Sequence, residues 1–300
     1  MAGIIAAVIP PAMKHSESLF FDIRGLRYHV RHWKGNSSRK LVLLHGWMDV
    51  SASFQFLVDA LSPDWDAYAP DWRGYGLTAW SGADSYWFPD YIGDLDMLLE
   101  RIQPDAPIDL VGHSLGANVG GLYAGIRPER VARFVNLEGF GMPATNPDQA
   151  PKRYARWMQE LRVAPSLRPY ASYAELADRL QKNNPRLPRE RAEFLAQHWG
   201  KDAEGGGVAL RSDPAHKLIN ATLYRLDEAR ACWERVTAPV LWIDAAESET
   251  IRRMKLTPAE LAERRAAFKE LRHETVADSG HMLHHDQPEK VARLIEAFLL

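Results

Sequence analysis

The chain has 300 residues, of which 46% are hydrophobic and 25% charged, the balance of a folded globular protein rather than a disordered one. A formal net charge of −2 gives no electrostatic reason to expect nucleic acid or an anionic membrane as a partner. Cys232 is the single cysteine, which excludes an internal disulfide and a cysteine-based metal site. Residues 1–10 are apolar but lack the basic lead-in of a secretory signal, and no stretch reaches the roughly 20 apolar residues of a membrane span. The expectation is a frayed or surface-packed terminus on a cytoplasmic protein, monomeric or homodimeric.

Short β-branched runs alternate with helical patterns, the signature of a mostly parallel sheet covered by helices. Residues 19–23 and 28–33 flank Arg24-Gly25 and read as an opening hairpin. Lys40–Leu44 is a continuous apolar strand ending at His45-Gly46, and 67–71 reads as another. Tyr91, Leu95, Leu98, Leu99 and Ile102 recur at helical spacing over 89–102. Buried strands follow at 108–111, Val131–Leu137 and 240–243, a strand-like run at 275–277, and an amphipathic terminal helix over 287–299.

Residues 144–235 break this rhythm. They carry helical patterns rich in Arg, Ala, Leu and Tyr, with Gly205-Gly206-Gly207 as a flexible loop, and no apolar run suited to a central strand. About 90 residues exceed a single crossover connection, so an all-helical insertion is expected. The core domain is then 1–143 with 236–300, and 144–235 is a second, helical unit.

Gly112-His113-Ser114-Leu115-Gly116 has the pattern Gly-x-Ser-x-Gly, directly after an apolar strand and at the start of a helix. That context places a serine on a sharp strand-to-helix turn. A serine hydroxyl needs a base to take its proton, and the amide of Leu115 at the helix start suits a developing oxyanion. The loop after Lys40–Leu44 supplies a second candidate donor, the amide of Trp47.

His45-Gly46-Trp47, Asp71-Trp72-Arg73-Gly74-Tyr75-Gly76 and Gly112-His113-Ser114-Leu115-Gly116 together resemble the α/β-hydrolase superfamily, over nearly the whole chain outside the helical insert. The resemblance implies an α/β fold with a mostly parallel sheet and makes 144–235 the cap over the active site. It also gives Asp71 and Arg73 a structural task, bracing the oxyanion loop. The base is expected in a late loop, where Ser279-Gly280-His281-Met282 places His281, with His284 and His285 as competitors expected to face the lid or solvent. Gly280 would allow the turn that aims the imidazole.

The acid is less plain. In most relatives an Asp follows the strand matching 240–243, but here Ser248 stands at that place, beside Asp244 and Glu247. The other position, after the preceding strand, holds Glu138, 24 residues past Ser114, an arrangement similar to that of some haloalkane dehalogenases and a minority of esterases. Glu138 is the first candidate, and Glu247 and Asp244 are the alternatives.

The resemblance implies acyl transfer through Ser114 with a carboxylic ester as the default substrate; the tryptophan load favours a small apolar or aromatic one, and no metal or cofactor is expected. Dehalogenases and epoxide hydrolases of the superfamily use an Asp nucleophile, and Leu115 stands where dehalogenases commonly place a halide-binding Trp. Perhydrolysis, carbon–carbon bond hydrolysis and a non-catalytic ligand-binding scaffold are the alternatives. Ten tryptophans point to an indole-walled pocket, with Trp47, Trp72, Trp80 and Trp87 near the sheet's edge and Trp157, Trp199 and Trp233 in or beside the insert. Arg153, Arg156, Arg162 and Arg211 are expected to be solvated, with pairing to a substrate carboxylate as the sharper option.

Overall fold

The computed structural model describes residues 13–300, so the expectation for the apolar opening lies outside the described residues. In chain order the strands are β1 (Glu17–Ile23), β2 (Leu26–Trp33), β3 (Lys40–Leu44), β4 (Asp66–Pro70), β5 (Ile108–His113), β6 (Val131–Leu137), β7 (Gly200–Asp202), β8 (Val208–Leu210), β9 (Val240–Ala245) and β10 (Leu271–Val276). The helices are α1 (Gln55–Ala60), α2 (Phe88–Ile102), α3 (Leu115–Ile126), α4 (Ala150–Glu160), α5 (Tyr173–Asn183), α6 (Arg189–Trp199), α7 (Leu226–Trp233), α8 (Glu249–Met254), α9 (Pro258–Ala266), α10 (Leu283–Asp286) and α11 (Pro288–Leu299).

Eight strands form one sheet in the order β1-β2-β4-β3-β5-β6-β9-β10. The opening hairpin pairs antiparallel with itself and with β4, and every pairing from β4 to β10 is parallel. Side chains alternate across the central strands. Val42, Leu44, Leu110, Phe134 and Trp242 face a core shared with α2, α3, α7 and α9. Leu41, Leu43, Val111, Val135, Leu137 and Ile243 face the opposite core under α1 and α11. A sheet covered on both faces explains why these strands read as continuous apolar runs.

The 144–235 segment contributes no strand to this sheet. It is not wholly helical, however: β7 and β8 form a small antiparallel hairpin, turned by Gly205, Gly206 and Gly207, all at positive φ. Three residues per strand leave too short a pattern to be read from sequence. Within it α5 and α6 enclose their own apolar cluster, which extends to Phe56 of α1. Helix α7 lies against α3, where a side chain at Gly125 would collide with the Cys232 carbonyl.

Neighbouring parallel strands end along one edge of the sheet. The loops after β3, β5, β6, β9 and β10 therefore converge there, as sites on such sheets do.

Candidate active site

Ser114 follows β5 directly and caps α3 at φ 52° and ψ −113°, a strained backbone for a residue with a side chain. Two contacts enforce the turn. A Cβ on Gly112 would lie 2.5 Å from the Ala117 backbone, and one on Gly116 would run into the Leu44 carbonyl. The Ser114 amide donates to the Leu137 carbonyl at 2.9 Å, which ties the turn to β6.

His281 sits in the loop after β10. Its Nε2 lies 3.0 Å from Ser114 Oγ and its Nδ1 lies 3.1 Å from Glu138 Oε2. The His281 peptide is held on both sides: its N–H donates to Glu249 Oε2 at 2.9 Å, and its carbonyl accepts from His113 Nε2 at 2.8 Å. Gly280 serves this loop by its small size, since a Cβ there would lie 2.7 Å from the Glu249 carboxylate. The left-handed turn itself is made by Asp278, at φ 58°.

Glu138 stands one residue past β6 at φ 56°, in a turn that Asn136 clamps by exchanging two 2.8 Å hydrogen bonds with the Gly139 backbone. Its carboxylate is 1% exposed, yet every direction is answered by a donor. Oε1 accepts from the Ala245 amide at 2.7 Å, and Oε2 accepts from Ser248 Oγ at 2.5 Å besides facing His281. Ser248, which stands where the resemblance places an acid, is thus a hydrogen-bond donor to Glu138. Sequence reasoning noted the replacement but not this contact; a hydroxyl at that position was the signal.

The two alternative acids lie elsewhere. Asp244 binds the Trp242 indole at 2.6 Å and Arg265 and His273 at 2.9 Å each, and makes no hydrogen bond to His281. Glu247, 55% exposed, pairs with Arg186 of the 144–235 segment at 2.5 Å. His284 and His285 correct the expectation of lid-facing or solvated side chains: both are buried, His285 beside Ser53 and His284 against Phe54 and His113. They fall in α10, whose apolar side is too short to announce itself as a period.

The amides of Trp47 and Leu115 have no protein acceptor among the described residues, and both residues line the cavity that holds Ser114. The Trp47 loop is braced from below. His45 Nδ1 donates to the Gly46 carbonyl at 2.8 Å, and its Nε2 accepts from the Trp72 amide at 2.9 Å. Burial pushes the His45 imidazole down to about 4, so this tautomer stays neutral. Asp71 accepts from the Ser51 and Leu77 amides and from His29. Burial alone would raise its pKa, and these partners, His29 foremost, pull it below the usual carboxylate range. Arg73 holds Asp94 through Nε at 2.6 Å and Nη2 at 2.5 Å, away from Ser114.

The cavity over Ser114 has a volume of about 650 Å³. Its aromatic wall is Trp47, Tyr86, Trp87, Phe88, Tyr91, Phe140 and Tyr224, so two of the seven tryptophans named above reach it. Residues 144–235 close another side with Thr145, Gln149, Arg153, His216 and Leu218. Of the four arginines singled out, only Arg153 lines the cavity; Arg156 pairs with Glu160 and Arg211 donates to the Gly200 carbonyl. No helix among the described residues is long and apolar enough to cross a membrane.

Comparison with known proteins agrees with this architecture. The sequence profile of the alpha/beta hydrolase fold family matches residues 40–288. A serine hydrolase-like protein of Danio rerio is 27% identical over 282 residues, covering 89% of this chain and 83% of that protein. The pimeloyl-[acyl-carrier protein] methyl ester esterase of Vibrio campbellii is 32% identical over 131 residues, 43% of this chain and 46% of the relative. Among solved structures, the thioesterase domain from the curacin biosynthetic pathway superposes with a TM-score of 0.84 at 21% identity, covering 94% of this chain and 99% of that one, a likeness of fold.

Proposed function

This chain belongs to the alpha/beta hydrolase fold family, and on that premise we propose that it is a serine hydrolase that cleaves carboxylic esters through an acyl-enzyme on Ser114. The observation that carries the reading is the hydrogen-bonded chain Ser114–His281–Glu138, opening on a cavity where two backbone amides have no acceptor. His281 Nε2 takes the Ser114 proton as Oγ attacks the ester carbonyl, and the Trp47 and Leu115 amides receive the negative charge that develops on oxygen. The imidazolium then protonates the leaving alkoxide. Water, deprotonated by the same nitrogen, attacks the acyl-enzyme and frees the acid and Ser114. Glu138 holds the tautomer with Nδ1–H and stabilises the imidazolium without taking its proton.

The aromatic wall supports a small apolar or aromatic substrate, and residues 144–235 are proposed as the cap that encloses it. Similarity to a methyl ester esterase supports the ester class. The test is labelling with a fluorophosphonate probe read by intact mass, beside a panel of aliphatic and aryl esters. One adduct and ester turnover are expected in the wild type, and neither in Ser114→Ala. An unlabelled wild-type protein, as a ligand-binding scaffold would be, refutes the proposal.

A further inference from the structure

Behind the serine and its base lies a buried polar cluster that the proposed hydrolysis does not use. Asp49, His113 and His284 are all buried, and each offers a ligand atom within 4.8 Å of the other two. Among the described residues, Asp49 Oδ2, His113 Nδ1 and both ring nitrogens of His284 have no hydrogen-bond partner. Buried polar atoms are nearly always satisfied, so three clustered ligand atoms, one each from Asp49, His113 and His284, call for an occupant.

The chemistry of the donors narrows what that occupant is. His113 Nε2 faces the His281 carbonyl, which can only accept; the proton is therefore on Nε2, and Nδ1 presents its lone pair to the cluster. Gly46 leaves room on that edge: a Cβ there would come within 3.0 Å of Nδ1. Asp49 Oδ1 accepts from the Val50 amide at 2.8 Å, and the neutral side chains of Ser53 and Trp199 stand near its carboxylate, but Oδ2 keeps no hydrogen bond and no arginine or lysine pairs with it among the described residues. A divalent cation would compensate that charge where no cationic side chain does. Two neutral imidazoles and one carboxylate form a set suited to zinc, at bond lengths of about 2.0–2.2 Å, with a fourth position for water.

We propose that Asp49, His113 and His284 form a structural site for a zinc-class divalent cation. Its placement gives it a task. Asp49 lies in the loop of the Trp47 amide, His113 immediately precedes Ser114, and His284 follows His281 in the same loop. One ion would staple the three loops that carry the oxyanion donor, the nucleophile and the base, and would fix the His113 ring that holds the His281 carbonyl. The ligands are 64 and 171 residues apart, so no short spacing marks them, which is why the sequence pointed to no metal.

The site stands independently of the ester-hydrolase reading, and its test does not use activity. Full-length protein stripped with EDTA is titrated with Zn²⁺ and Co²⁺. One ion per chain is expected, with a Kd at or below about 1 µM, visible cobalt d–d absorption, and a melting point raised by about 5 °C in excess zinc. Asp49→Asn and His284→Gln should each lower retention at least tenfold. Because either variant could fail to fold, a zinc-soaked wild-type crystal provides the second measurement, and its anomalous peak must lie between the three side chains. No retained ion, equal retention in folded variants, or a peak elsewhere overturns the site in favour of a protonated Asp49 bridged by buried water.

Discussion

Replacing Glu138 by Gln preserves size and removes charge, and its surroundings leave the amide no neutral choice. Oε1 faces the Ala245 amide, a donor that cannot become an acceptor, and Oε2 faces Ser248 Oγ and His281 Nδ1. Turning the new NH₂ toward Ala245 opposes two donors in a buried site, at about 1–3 kcal/mol. Turning it toward Oε2's place costs less, because the Ser248 hydroxyl rotates and His281 can shift its proton. That shift moves the hydrogen to Nε2, 3.0 Å from Ser114 Oγ, where a lone pair is required. The expected loss is about 10⁴-fold in kcat, or roughly 5.5 kcal/mol. Glu247→Gln breaks only the exposed pair with Arg186 and should change kcat less than about threefold. The assay is steady-state hydrolysis of a chromogenic aryl ester, with circular dichroism to establish that each variant is folded. Since Ser248 Oγ is 2.5 Å from Glu138 Oε2, adding Ser248→Asp to Glu138→Gln supplies a carboxylate at the place most relatives use, and should restore about 10–100-fold. A Glu138→Gln enzyme that keeps more than a tenth of wild-type kcat, or a Glu247→Gln enzyme that loses as much, refutes the assignment.

Two further predictions concern the scaffold. Gly116→Ala drives a methyl group into the Leu44 carbonyl and should cost about 4 kcal/mol or more, lowering the melting point by about 8 °C or leaving the chain insoluble; an unchanged melt contradicts the packing described. Acid should destabilise the protein well before carboxylates titrate. Burial holds His45 at about 4 and His216 and His285 at about 3, against 6.5 for a free imidazole, so below 6.5 the unfolded chain binds more protons than the native one. Stability is complete above that pH and falls toward 4, at up to about 1.4 kcal/mol per pH unit for each histidine. His198, held at about 4, and the buried His113 and His284 act in the same sense, while in metal-free protein Asp49, raised to about 7, acts in the opposite sense and offsets about one of these histidines. Thermal melts should be level above neutrality and drop below about pH 6; a melting point that rises on acidification counts against buried neutral histidines.

What was readable from the sequence is what local stereochemistry dictates. The run 108–111 into Gly112-His113-Ser114-Leu115-Gly116 had one plausible geometry, a strand turning sharply into a helix, because Gly112 and Gly116 supply the space the turn needs. Glu138 became the first candidate for a related reason: Ser248 left the usual position without a carboxylate, and the neighbouring strand end offered one. Tertiary structure alone decided the rest. That Asp244 pairs with Arg265 and His273, and Glu247 with Arg186, shows only in their tertiary partners. His284 and His285 look like surface polar residues in a four-residue helix, and became interior ones because Ser53, Phe54 and Phe56 after β3 and His113 at the end of β5 pack against them. The approach of Asp49 to His113 and His284, like that of Ser248 to Glu138, is set by which strands lie side by side in the sheet. Covalent spacing fixes a turn within a few residues; the company a side chain keeps across 64 or 171 residues is set by packing.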